Sequence, residues 1–152
     1  MILISHRGNI EGKNKDLENK PDYIDLAISN GFDVEVDLWY DNKINKIWLG
    51  HDKPEWEINL KWLNDRKQKL WIHCKDLITI ALMRELELNK NFEKFNYFFH
   101  DIDDCTLTSK GFIWVYPGKQ PINNSIAVLP ELYKDDLSKC EGICSDYIKK
   151  YE

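Results

Sequence analysis

Apolar and polar positions follow two different periods along the chain, and the switches between them mark the elements. Met1 to Ser5 is a short apolar run without helical spacing, suited to a strand buried on both faces, and it stops at His6-Arg7-Gly8. After a polar stretch from Asn9 to Lys20, Pro21 opens a segment in which Tyr23, Ile24, Ala27 and Ile28 share a helical face, closed by Asn30-Gly31. From Asp33 the period changes to two: Val34, Val36 and Leu38 alternate with Glu35 and Asp37, which places both carboxylates on one side of a strand. Asp41-Asn42 signals a turn, and Ile47-Trp48-Leu49 begins a second short strand that ends at Gly50-His51-Asp52.

The later chain repeats this order. Ile58 to Leu63 reads as a short helix, Leu70 to Cys74 as a strand carrying His73 with Lys75 just beyond it, and Leu77 to Leu88 as a helix with Asp76 as its N-cap. Phe95 to Phe99, Gly111 to Tyr116, Ser125 to Leu129 and Gly142 to Ser145 read as further strands, and Leu132 to Leu137 as a short amphipathic piece. Strand followed by helix in repeating order predicts parallel pairing through right-handed crossovers.

Composition narrows the class. A chain of 152 residues, 43% hydrophobic with six Trp, buries one substantial core, so residues 1–152 are expected to form a single domain. A net charge of -5 with scattered lysines argues against a nucleic-acid partner, which would need a basic face. No apolar run approaches the ~20 residues that span a bilayer, and no signal-peptide pattern opens the chain, so a soluble, cytoplasmic protein without a membrane span is expected. Cys74, Cys105, Cys140 and Cys144 lack metal-ligand spacing and read as reduced thiols.

The chemistry gathers at strand ends. All four histidines, His6, His51, His73 and His100, fall at or within one residue of the C-terminal end of a predicted strand. In a parallel barrel those ends converge on the face where active sites are built. Two carboxylates on one strand face, Glu35 and Asp37, are costly to bury without a cation or a basic partner.

In these residues the chain resembles the glycerophosphodiester phosphodiesterase family, within the wider group of phospholipase-C-like phosphodiesterases. The likeness rests on His6-Arg7-Gly8 after the first strand, Glu18-Asn19 in the following loop, Glu35-Val36-Asp37, Gly50-His51-Asp52 and the closing Gly142-Ile-Cys-Ser-Asp146. The first motif alone is weak; the set, in this order across nearly the whole chain, is specific. The resemblance implies that His6 and His51 act as general acid and base, that Arg7 offers a planar fork to phosphate oxygens, and that Glu35 and Asp37 hold Mg²⁺ or Ca²⁺. It leaves open which histidine starts as base. Lys75 matches the family's site lysine, and Asn19 is carried over as a substrate contact.

Two departures qualify the likeness. The third acidic ligand expected two residues before Lys75 is His73, so either the ion is held more weakly, or the site shifts toward Mn²⁺ or Zn²⁺, or His73 touches substrate. His100 has no counterpart, and it is expected to contact substrate or to be structural. An eight-unit barrel takes ~250 residues, whereas about seven strand candidates fit in 152. The expected fold is therefore a compact, shortened TIM-type (β/α) barrel with missing outer helices, partly open or covered by a second copy in a homo-oligomer.

The expected activity is metal-dependent cleavage of a small soluble phosphodiester, glycerophosphodiester-like or glycan-linked, with a cyclic phosphate as intermediate or final product. Trp114, with Tyr116 and Trp39 or Trp48, offers a platform for a sugar or polyol, while core packing is the competing reading for such aromatics. Two other classes fit the residues: an inactive barrel kept as a binding or assembly module, and a zinc hydrolase using all four histidines as ligands.

Overall fold

A computed structural model of the protein describes residues 1–89 and 94–152. Strand β1 (Ile2–His6) lies between β2 (Asp33–Asp41) and β10 (Gly142–Ser145), parallel to both, so the first and last strands are neighbours. Beyond β2 come β5 (Leu70–Cys74) and β6 (Asn96–Phe98); beyond β10 come β9 (Ser125–Val128) and β8 (Ile113–Val115). Each of these steps is parallel, giving the order β6-β5-β2-β1-β10-β9-β8. Two antiparallel additions complete the sheet: β3 (Lys46–Leu49) with β4 (Trp56–Ile58) extends from the far end of β2, and β7 (Cys105–Leu107) lines the edge of β8.

The sheet curls into a half-barrel and does not close as a TIM barrel. Closure would need a ladder between β6 and β8, but the outer edge of β8 is already taken by β7. Ser109 spans the remaining gap: its N–H donates to the Tyr97 carbonyl at 2.8 Å, its Oγ accepts from the Tyr97 N–H at 3.0 Å, and its hydroxyl donates to the Phe95 carbonyl at 3.0 Å.

The period of two sorts the strands into faces. Val34, Val36, Leu38, Leu70, Ile72 and Cys74 point to the convex side, where they pack with Ile24 and Ala27 of α1 (Pro21–Ser29), Leu63 of α2 (Leu60–Arg66) and Met83 and Leu86 of α3 (Leu77–Leu88). Apolar burial of this kind contributes about 25 cal/mol per Å², which makes this layer the main support of the fold. Asp76 caps α3, its Oδ1 accepting from the Thr79 N–H at 2.8 Å. On the concave side Ile4, Trp71, Phe98, Trp114, Ile126, Val128 and Cys144 form a second core beneath the C-terminal strand ends.

Three local expectations need correction. The short helix expected at Ile58 to Leu63 divides into strand β4 and helix α2, because Asn59 is a cap whose Oδ1 accepts from the Trp62 N–H at 2.8 Å. The strand expected over Gly111 to Tyr116 is one arm of an antiparallel β7–β8 pair. The piece expected at Leu132 to Leu137 is a single 3-10 turn, Pro130–Leu132, bounded by Leu129 and Lys134 in left-handed conformations that no continuing helix admits. All four cysteines are free thiols.

Candidate functional site

The first strand delivers His6 to the concave face and then turns sharply. Arg7 and Gly8 both have positive φ, 56° and 93°, and a Cβ on Gly8 would lie 2.6 Å from Tyr23 Cδ1, so the turn leaves room only for glycine. A left-handed arginine is uncommon and is held from both sides: its N–H donates to the Glu35 carbonyl and its carbonyl accepts from the Asn19 N–H, each at 3.0 Å. On the far side Gly50, with φ 153°, brings His51 inward; a Cβ there would sit 2.0 Å from the Lys53 carbonyl oxygen.

Glu35 and Asp37 share the concave face of β2 and are buried, with 2% and 0% exposure. Asp37 is surrounded by positive and donor groups. Its Oδ2 accepts from Asn19 Nδ2 at 2.9 Å and lies 2.8 Å from Arg7 Nε, an ion pair whose N–H is not aligned for a hydrogen bond. Its Oδ1 lies 3.2 Å from both Lys75 Nζ and His73 Nδ1. Burial alone would raise its pKa, but His51, His73, Arg7 and Lys75 together hold the carboxyl well below the usual range.

Glu35 is shifted the other way. Its Oε2, like Asp37 Oδ1, has no hydrogen-bond partner, and His6 Nε2 lies 3.9 Å from it. Burial and the adjacent Asp37 charge push its pKa up to about 8. Glu35, Asp37 and His73 offer one ligand atom each within 4.8 Å of one another. A buried oxygen without a partner and a converging oxygen-rich donor set fit a divalent cation.

The histidines are held by different means. His6 Nδ1 lies 2.7 Å from Asp146 Oδ1, and Asp146 also accepts from Asn9 Nδ2 at 2.8 Å. A carboxylate accepts the Nδ1 proton, so Nε2 of the neutral ring carries the lone pair. Burial lowers the His6 pKa, the Asp146 bond opposes that drop and the Arg7 charge adds to it. His51 is 42% exposed at its side chain, with Nδ1 at 3.5 Å from both Asp37 Oδ2 and Lys75 Nζ. His73 Nε2 lies 2.9 Å from the His100 carbonyl, and its ring stacks on Phe98 at 5.2 Å. His100 Nε2 donates to the Asp103 carbonyl at 2.7 Å, and its ring meets Tyr116 edge-on.

These groups open on one cleft of about 460 Å³. His6, Arg7, Glu35, His51, His73 and Lys75 form its polar end, and Trp114, Tyr116, Pro117, Leu129 and Leu132 its apolar wall, with His100 between them. Asp37 lies just behind the polar end. Trp114 is 3% exposed and packs against Phe98 and Trp71, so it is core as well as wall. Asn19 is placed differently from expectation. It is fully buried and does not line the cleft; its Nδ2 and Oδ1 grip Asp37, the latter accepting the Asp37 N–H at 2.9 Å. Arg7 donates from Nη1 to Glu18 at 3.3 Å, and its Nη2 makes no hydrogen bond among the described residues.

Glu18 and Asp146, motif positions without an assigned role, and Asn9, outside the motifs, form the chain of contacts that ties His6 to Arg7. Asp146 takes this place because it lies just past the strand that pairs with β1. No protein-family model, curated protein or solved structure matches the chain.

Proposed function

We propose that the protein is a metal-dependent phosphodiesterase that cleaves a small phosphodiester by histidine acid–base catalysis. One observation carries the reading: a neutral, carboxylate-anchored His6 and a solvent-facing His51 line the same cleft as the Glu35, Asp37 and His73 donor set.

His6 is the base. Its Nε2 takes the proton from a substrate hydroxyl adjacent to the phosphate; that oxygen bonds to phosphorus as the bond to the leaving alcohol breaks. His51 in its protonated form gives a proton to the departing oxygen. The products are a cyclic phosphate and an alcohol, and water attack with the two roles reversed opens the ring in a hydrolase. Arg7, through Nη2, and Lys75 orient the phosphate oxygens. Glu35, Asp37 and His73 would hold the cation, which supplies positive charge to the phosphate when bound.

The cleft suits a small diester. Its apolar wall accommodates the carbon face of a glycerol or sugar substituent, which supports a glycerophosphodiester-like or glycan-linked substrate.

The experiment is cleavage by chelator-stripped protein of several glycerophosphodiesters and a chromogenic diester, with Mg²⁺, Ca²⁺, Mn²⁺ or Zn²⁺ restored singly. Turnover of the glycerophosphodiesters, restored by a cation and lost in His51→Ala, is expected. Turnover of every diester unaffected by stripping, or of the glycerophosphodiesters unaffected by the substitution, overturns the proposal. Cation binding without turnover on any diester favours an inactive binding module.

A further inference from the structure

We propose that His73 makes the cation site nitrogen-bearing, binding first-row transition divalents such as Mn²⁺ and Zn²⁺ through imidazole Nδ1 in preference to Mg²⁺ or Ca²⁺. The inference rests on the metal-dependent reading above and gives it a class of ion.

The geometry determines which ring atom is available. His73 Nε2 lies 2.9 Å from the His100 carbonyl, and a carbonyl can only accept, so Nε2 carries the hydrogen. In the neutral ring Nδ1 is then the lone-pair nitrogen. It lies 3.2 Å from Asp37 Oδ1 and 3.8 Å from Glu35 Oε1, inside the donor cluster. The ring has little freedom to leave: Asp37 and His73 are register partners on β2 and β5, and Phe98 stacks against the ring with its plane 13° away. An imidazole that donates its other N–H to a backbone carbonyl is the usual form of a metal-bound histidine.

Asp37 commits Oδ2 to Arg7 and Asn19, while its Oδ1, like Glu35 Oε2, is buried without a hydrogen-bond partner. One oxygen from each carboxylate and His73 Nδ1 are therefore the donor atoms that converge. Mg²⁺ and Ca²⁺ are hard ions that take oxygen, while an imidazole nitrogen suits transition ions. A competing arrangement exists: a doubly protonated His73 donating to both the His100 carbonyl and Asp37 would be an ion pair with no ligand function.

Pulsed EPR of the chelator-stripped full chain loaded with Mn²⁺ separates the two arrangements. Nitrogen modulation from a directly bound imidazole is expected in the wild type and is expected to vanish in His73→Glu. Mn²⁺ and Zn²⁺ outbind Mg²⁺ at most mixed sites, so their tighter binding alone decides nothing. The informative quantity is the ratio of Mg²⁺ to Mn²⁺ dissociation constants by calorimetry, expected to fall about 10- to 100-fold in His73→Glu.

His73→Gln, which keeps size without an imidazole nitrogen, gives the same loss of modulation should the glutamate variant fail to fold. Mn²⁺ bound without nitrogen coupling, or a ratio unchanged in the variants, overturns the inference. Metal-restored turnover in that event would leave the phosphodiesterase reading intact. Nitrogen coupling without turnover on any diester would sustain the nitrogen site and overturn the activity, and a failure to bind Mn²⁺ at all overturns both.

Discussion

His6 and Asp146 meet at 2.7 Å across 140 residues of sequence, because the strands that carry them are adjacent and parallel. The contact makes Asp146 a positioning residue: it fixes the tautomer that leaves His6 Nε2 free, and it raises a His6 pKa that burial lowers. Asp146→Asn should reduce kcat about 100-fold with a smaller change in KM. Removing the charge should also move the acidic limb of the pH profile to lower pH, since the interaction that raised the His6 pKa is gone. An unchanged limb would show that Asp146 has no electrostatic effect on the base.

His6→Ala and His51→Ala should each cost about 100- to 10,000-fold in rate. The two should separate on leaving group. A nitrophenyl ester leaves without a proton, so it should recover much of the loss in His51→Ala and none of it in His6→Ala. Recovery in the His6 variant instead would reverse the acid and base assignments.

The raised Glu35 pKa has a consequence for stability in chelator. A carboxyl with a folded pKa of about 8 and an unfolded value of 4.5 supports folding in its protonated form. That contribution is complete below the unfolded value and is lost as pH rises through about 8, at up to about 1.4 kcal/mol per pH unit. His6, with a lowered folded pKa, works in the opposite sense below its ordinary 6.5. Comparison with Glu35→Gln separates the two effects: the variant should gain on the wild type steadily from pH 5 to pH 8 in denaturant titrations, and added cation should reverse the gain at pH 8. A difference independent of pH would mean that Glu35 is ionised throughout.

Asn19 supports Asp37 with two hydrogen bonds from a left-handed backbone position that asparagine tolerates well. Asn19→Ala should therefore destabilise the fold by about 1–3 kcal/mol, with weaker cation binding measured by calorimetry. Full stability with impaired substrate affinity alone would return Asn19 to the substrate contact expected from the sequence.

Local pattern revealed the elements whose burial follows their own period. Leu70–Cys74 and Leu77–Leu88 lie where alternation or helical spacing placed them, because each has an apolar face on a core. Glu35 and Asp37 were legible for the same reason: a period of two forces them together. Strand β4 was hidden because three residues are too few to establish a period before Asn59 caps the next helix. The anchoring of His6 was hidden in another way, since it depends on which strand lies beside β1, a fact of topology rather than spacing. The grip of Asn19 on Asp37 was not legible, because a motif position carries no information about whether a side chain faces the cleft or a carboxylate behind it.

Ser109 carries the remaining consequence. Strands β1, β2, β5 and β10, which bear most of the polar groups, are each laddered on both sides, whereas β6 meets the β7–β8 end of the sheet through one serine's three hydrogen bonds. What else crosses that seam is aromatic: Phe112 and Trp114 pack on Trp71 and Phe98 at centroid distances of 4.7 to 5.8 Å. The cleft is thus fastened by ladders at its polar end and by buried rings at its wall, so loosening the wall requires unpacking a core.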